Sequence, residues 1–230
     1  MSEPPVFLAA AGHPLRWRLL GELARGDRPV HELTALVGQP QNLVSYHLAK
    51  LRTAELVRAR RSTADRRDTY YALDLARCSA LLADAGGALH PGLRMSRPGA
   101  VLTAYGRVLF LCTGNSSRSQ MAEALLRSRT AGRIEAFSAG SNPKPIHPYA
   151  VKVMADRQID LADARSKHLS EFDGERFDRV ITLCDRVREV CPPFPAETVH
   201  WSVPEPRTRP DFDAVADELD ERIGFLVHTL

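Results

Sequence analysis

Apolar positions in the first third of the chain recur at helical spacing. Leu15, Leu19, Leu20 and Leu23 share one face of a helix expected over 14–25, which Gly26 ends. A short helix over 30–37 and a longer one over 41–54 follow, separated by a turn at Gly38–Pro40. Leu33, Leu36, Leu43, Leu48 and Leu51 are placed to pack these two together, as in a helix-turn-helix. The runs "LVRARR" and "TYYALDL" then read as strands around a polar loop from Ser62 to Asp68, a hairpin carrying arginines. A helix over 75–89 is expected to bury Cys78 as a small core residue.

From 107 the pattern becomes strand–helix alternation. "RVLFL" (107–111), "IEAFSAG" (134–140), "FDRVITL" (177–183) and "TVHWSV" (198–203) read as strands. Helical stretches are expected at 119–130, 148–157 and 211–228. Such alternation predicts an α/β domain with a parallel sheet covered by helices on both faces and a site at the strands' carboxyl ends. Between the halves, residues 90–106 hold two prolines and three glycines without periodicity. The expected division is therefore a winged helix-turn-helix domain at 1–89, mainly α with a β-hairpin wing, a linker at 90–106 and the α/β domain at 107–230.

A length of 230 residues allows one large domain or two small ones. No apolar run approaches the roughly 18 residues of a membrane span, and Met1 to Pro5 lack the basic start of a signal peptide. A cytoplasmic protein without membrane contact is expected. Four cysteines in that compartment point to catalysis, redox work or metal binding rather than structural staples. The net charge of +3 hides an asymmetry. Residues 1–98 hold 14 Lys/Arg against 9 Asp/Glu, while the rest hold 17 against 19. Within 50–67 the count is seven to two, the basic face that a nucleic-acid binder needs and that a merely solvated surface can also show.

The chemistry gathers at "LFLCTGNSSRSQMAEAL". A strand run stops at Cys112, small polar residues turn the chain, and Arg118 opens a helix. A loop made of Thr113, Gly114, Asn115, Ser116 and Ser117 before a helix that starts Arg118–Ser119 is an anion nest. Arg118 adds a planar fork for a tetrahedral oxyanion. The same field favours thiolate at Cys112 without a neighbouring histidine. No Gly-Lys-Ser/Thr follows, so the loop is not a Walker A motif. Cys184 also directly follows a buried strand, and Cys191 stands seven positions on. No second close Cys/His pair accompanies them, so no metal is expected.

Residues 14–75 resemble the ArsR-type winged-helix repressors, on "QNLVSYHLAKLRTAELV" and the basic hairpin after it. The resemblance implies a homodimer on a double-stranded DNA operator, with the second helix in the major groove. Gln41, Asn42, Ser45, Tyr46 and His47 would lie near bases or backbone, and Lys50, Arg58, Arg60, Arg61, Arg66 and Arg67 near phosphates. Arsenic-sensing relatives often carry a cysteine pair at the start of the recognition helix, where this chain has none.

Residues 107–230 resemble the low-molecular-weight tyrosine phosphatase fold and, within it, the thioredoxin-coupled arsenate reductases. "CTGNSSRSQMAEALL", "FSAG", "SKHLSEF" and above all "VITLCDRVREVCP" carry the likeness. It implies that Cys112 attacks arsenate, or a phosphate-like oxyanion, held by the 113–119 loop and Arg118. Cys184 and Cys191 would then relay a disulfide to a thioredoxin-like partner, an external thiol reductant, with no bound cofactor. The segment 184–195 would move as a loop. Asn115, Ser119 and Glu123 would brace the anion loop. The K⁺ that some relatives hold there is not carried over, because His168 stands where they have an acid. Glu205, in "HWSVPEP", takes the place of the relatives' acidic proton donor, one methylene longer. Two other readings stay open: a phosphatase fused to the regulator, and a regulator whose second domain only senses an oxyanion.

Overall fold

A computed structural model of the chain describes residues 4–64, 67–93, 105–190 and 194–230; of Pro91 and Val190 it describes the backbone alone. Arg66, Cys191 and most of the stretch expected as linker (94–104) lie outside the described residues. The chain divides into two units, 1–99 and 100–230.

In the first unit, helices α1 (Val6–Ala11), α2 (Pro14–Ala24), α3 (Val30–Val37), α4 (Gln41–Thr53) and α5 (Leu75–Leu89) surround a small antiparallel sheet. Its strands β1 (Arg28–Pro29), β2 (Val57–Arg61) and β3 (Thr69–Leu73) lie in the order β1-β3-β2. Each boundary has a local cause. Pro14 fits the first turn of α2, and the His13 side chain accepts from Leu15 N–H. Gly38, at φ 60°, ends α3 in the left-handed region. Asp74 caps α5 by accepting from Arg77 N–H.

The core of this unit holds Leu19, Leu33, Val44, Leu48, Leu51 and Leu56. Two residues expected in the α3–α4 contact are not there: Leu36 and Leu43 are exposed, and Val37 and Val44 are buried instead. The reason is helical phase. Leu33 and Val37 stack one turn apart, and Val44, His47, Leu48 and Leu51 form an unbroken i, i+3, i+4, i+7 stripe that turns Leu43 outward. Cys78 is buried as expected. Burial, and then Asp74, push its thiol from the ordinary 9.0 up to about 11, so it is inert at neutral pH.

In the second unit, β4 (Gly106–Cys112), β5 (Ile134–Gly140), β6 (Arg179–Thr182) and β7 (Glu197–His200) form one parallel sheet in the order β5-β4-β6-β7. Helices α6 (Arg118–Thr130), α7 (Pro148–Asp156), α8 (Asp185–Val190) and α9 (Arg209–Leu226) flank it. Val108 to Cys112 are buried without a break, as a central parallel strand requires. Phe110, Met121, Leu126, Ile134 and Phe212 are fully enclosed around it. Because β5 joins β4 on one side and β6 on the other, the strand order reverses between β4 and β6. The crevice at their carboxyl ends is where ligands bind in such sheets, and Cys112 and Cys184 stand at its two lips. The segment expected as a loop over 184–195 begins instead with α8. Among the described residues, no helix is long and apolar enough to cross a membrane.

Candidate active site

The loop between β4 and α6 is held from behind. Thr113 O accepts from Asn142 N–H at 2.8 Å, Gly114 O from Lys144 N–H and Ser116 O from His147 N–H, both at 2.9 Å. Asn115 O accepts from Gln120 Nε2 at 3.2 Å and Ser166 Oγ at 3.1 Å, and Ser117 O from Met121 N–H at 2.8 Å. In a planar trans peptide the N–H points opposite to the carbonyl. With the carbonyls of 113–117 engaged outside, the N–H groups that follow them face inward. At the turn, Asn115 takes φ 43°, a left-handed value that asparagine tolerates. Alternation of this kind builds an anion-binding nest.

Gly140, at the end of β5, lies directly behind the loop. A Cβ there would stand 2.6 Å from Thr113 O and 2.8 Å from Asn115 N. Glycine is required by close approach of two backbones, not by its own φ.

Cys112 is 2% exposed, with Asn115 N–H donating to its sulfur at 3.2 Å and Ser119 Oγ at 3.0 Å. Ser119 Oγ already accepts from Asn115 Nδ2 at 2.9 Å, which leaves its own hydrogen for the sulfur. The second Nδ2 hydrogen goes to Ser138 Oγ at 2.8 Å, and Asn115 Oδ1 accepts from Lys167 N–H at 2.7 Å and Gln120 Nε2 at 2.9 Å. Asn115, fully buried, thus ties α6, β5 and the 166–167 segment to the Cys112 loop. Glu123 braces the loop only indirectly. It pairs with Arg127 at 2.7 Å and with Lys167 at 3.4 Å, the residue whose backbone holds Asn115. His168 serves as the cap of a short turn, accepting from Ser170 N–H.

Arg118 is buried at the start of α6, donating through one terminal nitrogen to Val203 O at 2.9 Å, while its Nε has no partner among the described residues. A buried N–H left unpaired is disfavoured unless a ligand completes it. The donor set fits an oxyanion above Cys112: inward N–H groups, the Nε of Arg118 and the helix N-terminus. Thr113, Gly114, Ser116 and Ser117 are partly exposed around this nest.

Cys184 is also 2% exposed, and its sulfur lies 3.3 Å from Thr113 Oγ1. The structure therefore brings Cys112, the 113–119 loop, Arg118 and Cys184 together. The Glu205 side chain is exposed, two residues beyond the Val203 carbonyl that accepts from Arg118. Sequence reading missed Gln120, Ser138, Ser166 and the 142–147 backbone, which act across the fold. Only the "FSAG" and "SKH" strings hinted at two of them.

In the first unit, Gln41, Asn42, Ser45, Tyr46 and Lys50 share the exposed face of α4, with Lys50 Nζ 5.6 Å from the Tyr46 ring centroid. Arg58 and Arg61 are exposed on β2, Arg60 is half-buried, and Arg67 is exposed after the hairpin loop. Arg58 pairs with Asp74 at 3.2 Å. His47 departs from the expected base-contacting set. It is buried on the core stripe, its ring 4.4 Å from that of His13, and its Nδ1 has no partner among the described residues. Burial, then the nearby His13 and Arg16, lower its pKa from the ordinary 6.5. Among the described residues no group of three or more His, Cys, Asp or Glu side chains could hold a metal ion.

Comparison with known proteins follows the same division. Residues 13–59 match the arsR family of bacterial regulatory proteins. An arsenate reductase of Bacillus anthracis is 38% identical over 120 residues, 50% of this chain and 90% of the relative. One of Brevibacillus brevis is 38% identical over 126 residues, 53% of this chain and 94% of the relative. A solved arsenate reductase in the phosphate binding state is 29% identical over 54% of this chain and 97% of its own, with a TM-score of 0.47. Residues 107–230, with the nucleophile loop, Arg118 and both described thiols of the site, match low molecular weight phosphotyrosine protein phosphatases. On that half the chain belongs to the low molecular weight phosphotyrosine protein phosphatase family, and it carries an arsR-family helix-turn-helix domain ahead of it.

Proposed function

We propose that residues 107–230 reduce arsenate to arsenite and that the first unit binds operator DNA as a homodimer, in the cytoplasm. The observation that carries the first part is the second thiol. Cys184 is buried against Thr113, the residue next to the nucleophile. Phosphate-ester hydrolysis needs one cysteine, whereas reduction must take two electrons from the protein.

The steps balance as follows. Cys112 thiolate attacks arsenate held by the loop N–H groups and Arg118; an S–As bond forms and one oxygen leaves as water. Glu205 is the proton donor implied by its place in the sequence. Cys184 then attacks the Cys112 sulfur. The S–S bond forms, the S–As electron pair goes to arsenic, and As(V) leaves as As(III) in arsenite. Cys191 attacks Cys184, expelling Cys112 as thiolate, and a thioredoxin-like dithiol reduces the 184–191 disulfide. In this reading helix α8, which directly follows Cys184, opens during the relay. A helix of six residues has little stability of its own, which suits the motion. No bound cofactor takes part.

In the first unit, the exposed α4 face would enter the major groove, and Lys50, Arg58, Arg60, Arg61, Arg66 and Arg67 would meet phosphates.

Steady-state turnover with arsenate and a thioredoxin system tests the reading. Cys112→Ser should leave no more than a few per cent of wild-type turnover. Cys191→Ser should release about one arsenite per chain and trap a Cys112–Cys184 disulfide, visible by mass mapping. Aryl-phosphate hydrolysis that survives Cys184→Ser, with no arsenate turnover in the wild type, would instead identify a phosphatase.

A further inference from the structure

The residue after the second thiol carries a fully buried carboxyl group. Asp185, in the first turn of α8, has no exposed surface. Its Oδ1 accepts from Ser202 Oγ at 2.7 Å and lies 3.2 Å from His200 Nε2. His200 Nδ1 lies 2.8 Å from Thr182 Oγ1. With Thr182 donating there, Nε2 keeps the proton that it gives to Asp185. Thr182, His200 and Ser202 are themselves buried, and Thr182 faces His200 in the β6–β7 register. These two donors to Asp185, His200 at the end of β7 and Ser202 in the strap just after it, lie outside the helix.

That strap has a second attachment. Val203, next to Ser202, accepts from Arg118 through its carbonyl. The second thiol and the anion-binding guanidinium are consequently held to the same two residues, Ser202 and Val203. A carboxylate enclosed in protein is strongly disfavoured without its donors.

We propose that Asp185 is a positioning residue for the second thiol. It is a fixed pivot, held by His200 and Ser202, that keeps Cys184 beside Thr113 while the helix after it unwinds to deliver Cys191. The proposal rests on the disulfide relay above and assigns no chemistry to Asp185 itself. It separates the roles of neighbouring residues: Cys184 reacts, Asp185 stays fixed, and the chain from 186 onward moves.

The test uses full-length protein carrying Cys191→Ser, alone and with Asp185→Ala or Asp185→Asn. After one addition of arsenate, the appearance of the Cys112–Cys184 disulfide is followed by mass mapping and compared with arsenite released. Asp185→Ala should slow it at least about tenfold, the scale that misplacement of a reacting group produces. Asp185→Asn, which retains an Oδ1 acceptor, should restore it to within about threefold of the parent. Alkylation of Cys112 by iodoacetamide, and its protection by inorganic phosphate, should stay within about twofold in all three. Parent-like disulfide formation in Asp185→Ala overturns the proposal. A parallel loss of alkylation and phosphate protection also overturns it, because the role would then be general support of the fold. Should Asp185→Ala fail to fold, Ser202→Ala removes one donor in its place, and an unslowed disulfide there is equally fatal. If the Cys191→Ser parent forms no disulfide at all, the relay fails and the pivot falls with it, a result distinct from the others.

Discussion

Gly140 places a residue-scale constraint on the nucleophile loop from 25 positions away in sequence. An added methyl would meet Thr113 O and Asn115 N well inside contact distance, and both are backbone atoms without a rotamer to yield. Gly140→Ala should therefore leave the protein folded while displacing the loop, lowering phosphate protection of Cys112 at least about tenfold; equal protection would show that the loop yields freely. His47 supports a second prediction. Its depressed pKa means that the fold holds it neutral, so its contribution is present above about pH 6.5 and is lost as pH falls through the lower folded value. Melting of the first unit should weaken in that direction, and His47→Gln should flatten the dependence. At this scale the sequence revealed what is local. The strand, loop and helix start around Cys112 and Arg118 were legible because they are contiguous. The burial of His47 was not legible because a polar residue on a basic helix gives no sign of which stripe it joins, and Asn115's partners were hidden because they come from three separate segments.

Among the elements, the β2–β3 hairpin and α4 carry the DNA reading. Arg61→Ala with Arg67→Ala should weaken binding to all duplexes alike and flatten the dependence of log affinity on log salt by about two units. Filter binding or anisotropy across a salt series measures this, and an unchanged slope would remove these arginines from the phosphate contacts. The long elements of both units were legible because their apolar spacing repeats over several turns or fills a central strand. The failures were short or depended on phase. α1 and α8 each span six residues, too few for a period to establish itself, and α8 begins with a charged residue whose burial is a tertiary fact. Leu36 and Leu43 are as apolar as the valines that replaced them in the core; only the geometry of the Gly38 turn chooses between the two stripes.

The whole chain holds two apolar cores that share no described residue. Heating should give two transitions, and inorganic phosphate should raise only the one belonging to the nucleophile loop. At about 100 times its dissociation constant the ligand stabilises by roughly 2.7 kcal/mol, enough to move that transition by several degrees. Calorimetry with and without phosphate checks it, and a single transition that moves as one would mean that the units unfold together. The change of texture at 107 was visible in the sequence because a helix-rich, basic half gives way to strand–helix alternation. The separateness of the cores also has a genetic meaning. A lesion at Leu33 and a lesion at Cys112 strike different halves of one reading frame, in cores that share no described residue. Two defective alleles of this kind, expressed in one cell, should complement each other, one supplying enzyme and the other regulator, although both arise from a single gene.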